Sequence, residues 1–248
     1  MNIDEYEKMD EQGATHWWYE ARRSLLHHDL KKYANGRTNL KILDLACACG
    51  HNYSICKNYG EYNGIDISDT AIKYCNLKKI PNVTVGDVQN LTFESESFDV
   101  VLSMDVFEHI EDDIACMKKI IKVLKPGGKL IFNTPALMML YSYHDKGFHH
   151  FRRYRAGEIS KKLKIAGFKI TFITYWSFFI FPFVLLMRKV LFKKRQKNVE
   201  SLSDFHLNIP EAIKIVLEKI CKLEVLLIRK RARFPLGVSL YGIAQKEI

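Results

Sequence analysis

The sequence predicts an α/β protein: a doubly wound, mostly parallel seven-stranded sheet with a helical insertion between strands six and seven. Three observations carry this. Short apolar runs alternate with amphipathic segments of helical period, the pattern of a parallel sheet with helices on both faces. A turn of small residues, Ala46-Cys-Ala-Cys-Gly50, joins the first apolar run to the segment that follows it. Finally, 63 residues separate the sixth expected strand from the last, far more than a connection inside a compact sheet needs. A chain of 248 residues, 48% hydrophobic and 27% charged, suits one well-buried domain. The expected division is a single domain over 1–248, with an N-terminal helical cap over 1–38 and an apolar and basic helical insertion over 177–235.

The elements follow in order. Lys41-Ile-Leu-Asp-Leu45 is an apolar strand, with a helix expected over 52–59. Tyr62-Asn-Gly-Ile-Asp66 is the second strand, and Ser68 or Asp69 can cap a helix running to Lys78. Val83-Thr-Val85 is the third and Ser97-Phe-Asp-Val-Val-Leu-Ser103 the fourth. A helix over 111–123 is then ended by Lys125-Pro-Gly-Gly128. Lys129-Leu-Ile-Phe-Asn133 is the fifth strand; a helix over 156–166, closed by Gly167, precedes the sixth, Phe168–Thr174. Val238–Gln245 is the last.

Composition narrows the setting. The first ten residues lack the basic stretch and apolar core of a secretory signal, which makes the cytoplasm the expected location. The six cysteines show no C-x-x-C pairing and read as reduced thiols. The net charge is +10, and from Phe178 to Ile248 there are 14 Lys and Arg against 6 Asp and Glu. Such a basic face suits an anionic partner, a membrane surface or a nucleic acid.

The first chemistry lies at Asp44-Leu-Ala-Cys-Ala-Cys-Gly50, where small residues let backbone approach a ligand closely. Asp66 follows 22 positions after Asp44, at a strand end where a carboxylate can accept both hydroxyls of a ribose. Asp87, in Gly86-Asp-Val88, would lie beside the same crevice and could accept from an adenine amino group. A nicotinamide dehydrogenase fits less well, because its G-x-G-x-x-G fingerprint is absent.

These residues, with Gly64-Ile-Asp-Ile-Ser68, Ser97-Phe-Asp-Val-Val101, Asp105-Val-Phe-Glu-His109 and Leu124-Lys-Pro-Gly-Gly128, resemble the class I S-adenosylmethionine-dependent methyltransferases. The likeness is to the branch related to ubiquinone and glycan methyltransferases and covers roughly 40–245. It implies a Rossmann-like fold and an S-adenosyl-L-methionine cofactor. It also implies that Asp44, Ala46, Cys47, Ala48 and Gly50 line the methionine part, that Asp66 holds the ribose and that Asp87 and Val88 flank the adenine, with Ile67 and Met104 as further cofactor contacts. The chain departs from the family at Ala46 and Ala48, where glycine is usual. If either position needs a positive φ, alanine is strained there by roughly 1 kcal/mol. An inactive cofactor-binding relative is the corresponding alternative.

A similar acidic-acidic-histidine cluster is associated with a divalent ion in ubiquinone O-methyltransferases, which makes Asp105, Glu108 and His109 a candidate metal set; no metal is nonetheless expected, with Glu-His read as a structural pair. Acceptor chemistry is expected in His144-Asp-Lys-Gly-Phe-His-His-Phe-Arg-Arg-Tyr154. His149 and His150, then His109, are candidate general bases, and His144, Arg152, Arg153 and Tyr154 candidate acceptor contacts. The arginine pair and the apolar insertion favour oxygen on a sugar, glycan or lipid-linked acceptor. A quinone or natural product and an RNA are the alternatives; a nucleic-acid partner is disfavoured by the lack of an Asn-Pro-Pro-Tyr motif. In the insertion, Tyr175–Met187 is 13 nearly unbroken apolar residues, short of the roughly 20 that span a bilayer. With Arg188–Arg195 and an amphipathic helix over 210–233, it reads as an interfacial anchor, placing the enzyme peripherally on the inner face of an anionic membrane.

Overall fold

The computed structural model describes residues 3–194 and 211–247, and the side chains of 4, 5, 8, 9, 12, 15, 189–194, 211 and 212 are not among those described. Seven strands form one sheet: β1 (Leu40–Leu45), β2 (Gly60–Asp66), β3 (Val83–Val85), β4 (Phe98–Met104), β5 (Leu124–Pro135), β6 (Phe168–Trp176) and β7 (Ser239–Lys246). Their order is β3-β2-β1-β4-β5-β7-β6. All pairings are parallel except those of β7, which runs antiparallel to β5 and β6. The order reverses between β1 and β4, and such a switch point opens a ligand crevice at the carboxyl ends of the two strands.

Helices cover both faces. The sequence cap is two helices, α1 (Ile3–Thr15) and α2 (Trp17–Ala34), with His16 capping α2 and Asn35 ending it at φ 47°. Then come α3 (Tyr53–Cys56), α4 (Asp69–Leu77), α5 (Asp113–Val123), α6 (Tyr143–Gly147), α7 (Ala156–Ile165), α8 (Phe181–Lys194) and α9 (Glu211–Arg229). Ser68 caps α4 through Ala71 N, and Asp112 caps α5 through Ala115 N. On one face, Leu43, Leu45, Val101, Leu130 and Phe132 of the sheet pack with Met117 and Ile120 of α5 and Leu163 of α7. On the other, Ile42, Val100, Leu102, Ile131 and Tyr241 pack with Leu25 and Leu30 of α2 and Val225 and Ile228 of α9. The central strands are thus buried on both faces, which is why they read as unbroken apolar runs.

The structure corrects four expectations. The helix over 52–59 is a single turn, α3. Lys125–Gly128 opens the long strand β5 instead of merely closing a helix, because Leu124 already pairs with Phe98. The apolar run 175–187 is divided: Tyr175 and Trp176 complete β6, and helix begins only at Phe181. Finally α9 ends at Arg229, and its Cys221, Val225 and Ile228 are buried against α2, so its better apolar face is packed inward. The segment 195–210, with Arg195 of the expected basic run, lies outside the described residues.

Candidate cofactor crevice and acceptor site

Past Leu45 the chain turns through Ala46 (φ 51°), Ala48 (φ 46°) and Gly50 (φ 69°). The turn is held from within: Cys47 N donates to Ile65 O, Ala48 N to the Asp66 carboxylate and Gly50 N to Cys47 O. At Gly50 the φ of 69° favours glycine, and a Cβ there would also require the tip of the Ile80 side chain to move. The condition stated for Ala46 and Ala48 is met: both alanines occupy the conformation that glycine adopts freely.

Asp66, at the end of the neighbouring β2, is stapled to this turn. Its Oδ2 accepts from Ala48 N at 3.0 Å and its Oδ1 from Ser68 N at 2.9 Å. Each carboxylate oxygen has a further lone pair for a ribose hydroxyl. Asp44 lies beneath the turn, fully buried, accepting from Tyr62 Oη at 2.9 Å and from Asn52 Nδ2 at 3.1 and 3.2 Å. Burial pushes its carboxyl up to about 6, against the opposing pull of those hydrogen bonds. Cys47 is buried and Met104 is 8% exposed at the end of β4. On the nucleoside side Ile67 is 74% exposed, an apolar surface of the kind an adenine covers. Asp87 caps the short 3-10 turn Val88–Asn90 through Gln89 N, and Val88 packs against the core. Helix α1 closes this end: Tyr6 is buried, its carbonyl accepts from Cys49 Sγ, and Asp10 pairs with His51 and Lys78.

At the carboxyl end of β4 the structure assembles a group that local sequence patterns do not reveal. Arg22 of α2 pairs with Asp105 and lies over the rings of Trp18 and Tyr19. Asn133 donates to Asp105 at 2.5 Å and accepts from Trp176 Nε1 at 2.7 Å, and Trp176 stacks on Trp18 at 5.0 Å. The Arg22 Nε is buried without a partner among the described residues. The only sequence signal was the four-residue spacing of Trp18 and Arg22, which puts both on one helix face.

Asp105, so engaged, does not join the expected metal set; Glu108, His109 and His150 instead bring potential ligand atoms within 4.8 Å of one another. Glu108 is wholly buried, accepts from Thr134 Oγ1 at 3.0 Å, and has its carboxyl held well above the usual range by burial and by Asp105. One carboxyl and two imidazoles do not make the oxygen-rich set that Mg²⁺ takes. His109 is held down to about 4 by burial and by His150, whose ring meets it edge-on at 4.6 Å.

The acceptor stretch divides. His149 is exposed at φ 56°, His144 is half-buried 6.3 Å from the His150 ring, and His150 Nδ1 lies 2.9 Å from Asp145 Oδ1. Three expected acceptor contacts instead serve the scaffold. Tyr154 is 0% exposed, donating to Phe107 O and Asp113 Oδ2. Arg152 donates to Asp113 and to Glu111 O. Arg153 is buried against Asp145 at 2.7 Å and Ala136 O at 3.3 Å. Buried carboxylates claim these cations because a charge taken from water must be paired.

The model of a family described as "Methyltransferase domain" matches residues 43–132, the stretch from β1 through the first part of β5 that carries the small-residue turn, Asp66, Asp87 and Asp105. The match spans 90 of the 248 residues, and over that stretch the chain is similar to a methyltransferase domain. The chain is similar to the ubiquinone biosynthesis O-methyltransferase of Coxiella burnetii, 25% identical over 187 residues, covering 65% of this chain and 80% of that protein. It is 29% identical over 112 residues to the protein of the same name from Idiomarina loihiensis, covering 42% of this chain and 46% of the relative. That match spans about half of the relative's length. Among solved structures, the domain superposes with a TM-score of 0.61 on a chain of the complex between the Haloferax volcanii Trm112 methyltransferase activator and a methyltransferase, at 15% identity, covering 98% of this chain and 95% of the other. Haemonchus contortus phosphoethanolamine N-methyltransferase 2, solved with S-adenosyl-L-methionine, gives 0.57 at 19% identity, covering 88% of this chain and 51% of the other. These likenesses carry the fold.

Proposed function

We propose that the protein transfers the methyl group of S-adenosylmethionine to a hydroxyl oxygen of a small-molecule acceptor of the quinone-precursor type. The observation that carries this reading is the contact between the rings of His109, just past the end of β4, and His150, which Asp145 holds. In the reaction the acceptor oxygen attacks the sulfonium methyl in line, the sulfur–methyl bond breaks with its electron pair left on sulfur, and the hydroxyl proton passes to His150. Thioether, methyl ether and imidazolium balance the step. Positioning supplies most of the rate, with general-base help of roughly 10²- to 10⁴-fold.

In this reading Asp66 takes the ribose hydroxyls, the Ala46–Gly50 turn borders the methionine end, and Ile67, Asp87 and Val88 border the adenine. The sugar or glycan acceptor loses its main argument, because Arg152 and Arg153 are spent on Asp113 and Asp145. Exposed Phe148 and Phe151 flank His149 and His150 in the chain, and Trp18 and Tyr19 lie against Arg22, aromatic surface that suits an aromatic acceptor; the names of the relatives point the same way. The test is incubation with methyl-labelled cofactor and separate lipid, sugar-nucleotide and RNA extracts. Label in an aromatic ether of the lipid fraction supports the reading; label in sugar nucleotide or RNA, or in none, overturns it.

A lipid-soluble acceptor would be met at a membrane surface. The outer side of α9 exposes Ile215, Val216, Leu223 and Leu226 among Lys219, Lys222 and Lys230, and Phe179, Phe183 and Leu186 are exposed at the start of α8. Apolar and basic side chains so mixed suit an anionic interface. Among the described residues no helix is long and apolar enough to cross a membrane. Phe178 and Phe181 contribute less than the sequence implied, being half-buried and buried, and Arg229 and Arg231 are tied to Ser24 and Asp29 of α2. Co-sedimentation with anionic but not neutral vesicles, reduced by Phe179→Ser, Phe183→Ser and Leu186→Ser together, is expected; protein left in the supernatant with both vesicle types excludes it.

A further inference from the structure

We propose that Asp145 is a positioning residue that fixes His150 in the tautomer bearing its proton on Nδ1, leaving Nε2 as the nitrogen that accepts the substrate proton. The proposal rests on the reading of His150 as general base and assigns the group that makes it one.

The geometry is specific. Asp145 is wholly buried at the start of α6. Its Oδ1 is 2.9 Å from His150 Nδ1 and accepts from Arg153 Nε at 2.7 Å, while its Oδ2 accepts from Ser142 N at 2.8 Å and Ser142 Oγ at 3.2 Å. Arg188 of α8 stands 3.6 Å from Oδ2 and donates to Leu140 O. Burial alone would raise the Asp145 carboxyl. The His150 hydrogen bond and the Arg153 and Arg188 guanidinium groups together hold it well below the usual carboxylate range.

A carboxylate that stays ionised is an acceptor only. The hydrogen at the 2.9 Å contact therefore belongs to His150 Nδ1, and in the neutral ring Nε2 carries the lone pair. The backbone repeats the constraint: His150 N donates to Asp145 O at 2.8 Å, and the His150 carbonyl accepts from Tyr141 Oη at 2.7 Å. His150 is held at ring and backbone by one buried residue five positions before it, a base-and-orienter pairing in which the carboxylate also stabilises the imidazolium formed during transfer. Two arginines around one carboxylate also explain why Asp145 can sit in the interior, and Arg188 ties α8 to the acceptor site.

The experiment combines nitrogen-15 NMR of the His150 imidazole with kinetics and S-adenosylhomocysteine titration on the intact chain. In the wild type the shifts should report Nδ1–H and a bare Nε2. Asp145→Asn should mix or invert the tautomers and lower kcat by about 10² or more, with the S-adenosylhomocysteine Kd unchanged within about twofold. A wild-type ring protonated on Nε2 overturns the proposal, and this holds even where Asp145→Asn fails to fold. Loss of activity in Asp145→Asn with the tautomer unchanged also overturns it, since the residue would then be only a structural support. His150→Gln separates the underlying reading: full kcat in that variant, with Nδ1–H seen in the wild type, leaves the tautomer assignment standing and removes His150 as the base.

Discussion

Replacing Ala48 with glycine should stabilise the protein, against the usual direction of such a change. Ala48 sits at φ 46°, its amide donates to Asp66 and its carbonyl accepts from Cys75 Sγ at 3.1 Å, so the tertiary contacts hold a conformation that an L-residue resists. The left-handed region costs a non-glycine residue about 1 to 2 kcal/mol. Glycine relieves this but adds unfolded-state entropy of about 0.4 to 1 kcal/mol. The net expectation is stabilisation by about 0.5 to 1 kcal/mol, or roughly 1 to 4 °C in Tm for a domain of this size. Ala46→Gly, at φ 51°, should behave alike, and the double variant should fall short of additivity because the two share one turn. Differential scanning calorimetry with and without S-adenosylhomocysteine reads both stability and binding, and affinity should be equal or higher in the glycine variants. A fall of about 1 kcal/mol, the cost of glycine at an ordinary negative-φ site, would refute the strain argument.

Asp66→Ala should weaken S-adenosylhomocysteine binding by one to two powers of ten, since charged hydrogen bonds contribute roughly 1.5 to 3 kcal/mol; unchanged affinity by calorimetric titration removes Asp66 from the site. Arg153→Ala should cost about 3 to 5 kcal/mol in urea unfolding because it strands the buried Asp145 charge; unaltered stability with reduced turnover would restore Arg153 as an acceptor contact. The His109 ring, held at about 4 against an ordinary 6.5 by burial and then by His150, contributes stability that is complete above pH 6.5 and lost as pH falls towards 4, because the unfolded chain takes up the proton first. His109→Gln should therefore lose less Tm than the wild type between about pH 7.5 and about pH 5, and an identical loss contradicts the assignment.

What was legible in the sequence was local. The strands β1, β2 and β4 announce themselves as apolar runs, and the small-residue turn and Asp66 lie where strand ends put them. The Ala46 and Ala48 strain could be posed from sequence as a condition, which only the backbone angles could decide. The groups that were missed are joined across the chain: Arg22 and Asp105 are 83 positions apart, Trp176 and Asn133 are 43, and no periodicity encodes such pairings. The cluster at 149–154 was visible as a concentration of charge and imidazole, but its direction was not. Asp113 and Asp145 turn Arg152, Arg153 and Tyr154 inward, and a buried partner carboxylate leaves no mark on the residues it attracts. Likewise the apolar faces of the insertion could not be sorted until α2 claimed Cys221, Val225 and Ile228.

The central claim, that the crevice between β1 and β4 holds S-adenosylmethionine, is tested most directly by isothermal titration of the intact protein with S-adenosylhomocysteine and, separately, with NAD. One molecule of S-adenosylhomocysteine bound per chain, weakened by Asp66→Ala, and no heat with NAD is the predicted result. Binding of NAD, or no binding of S-adenosylhomocysteine by a folded protein, would contradict it.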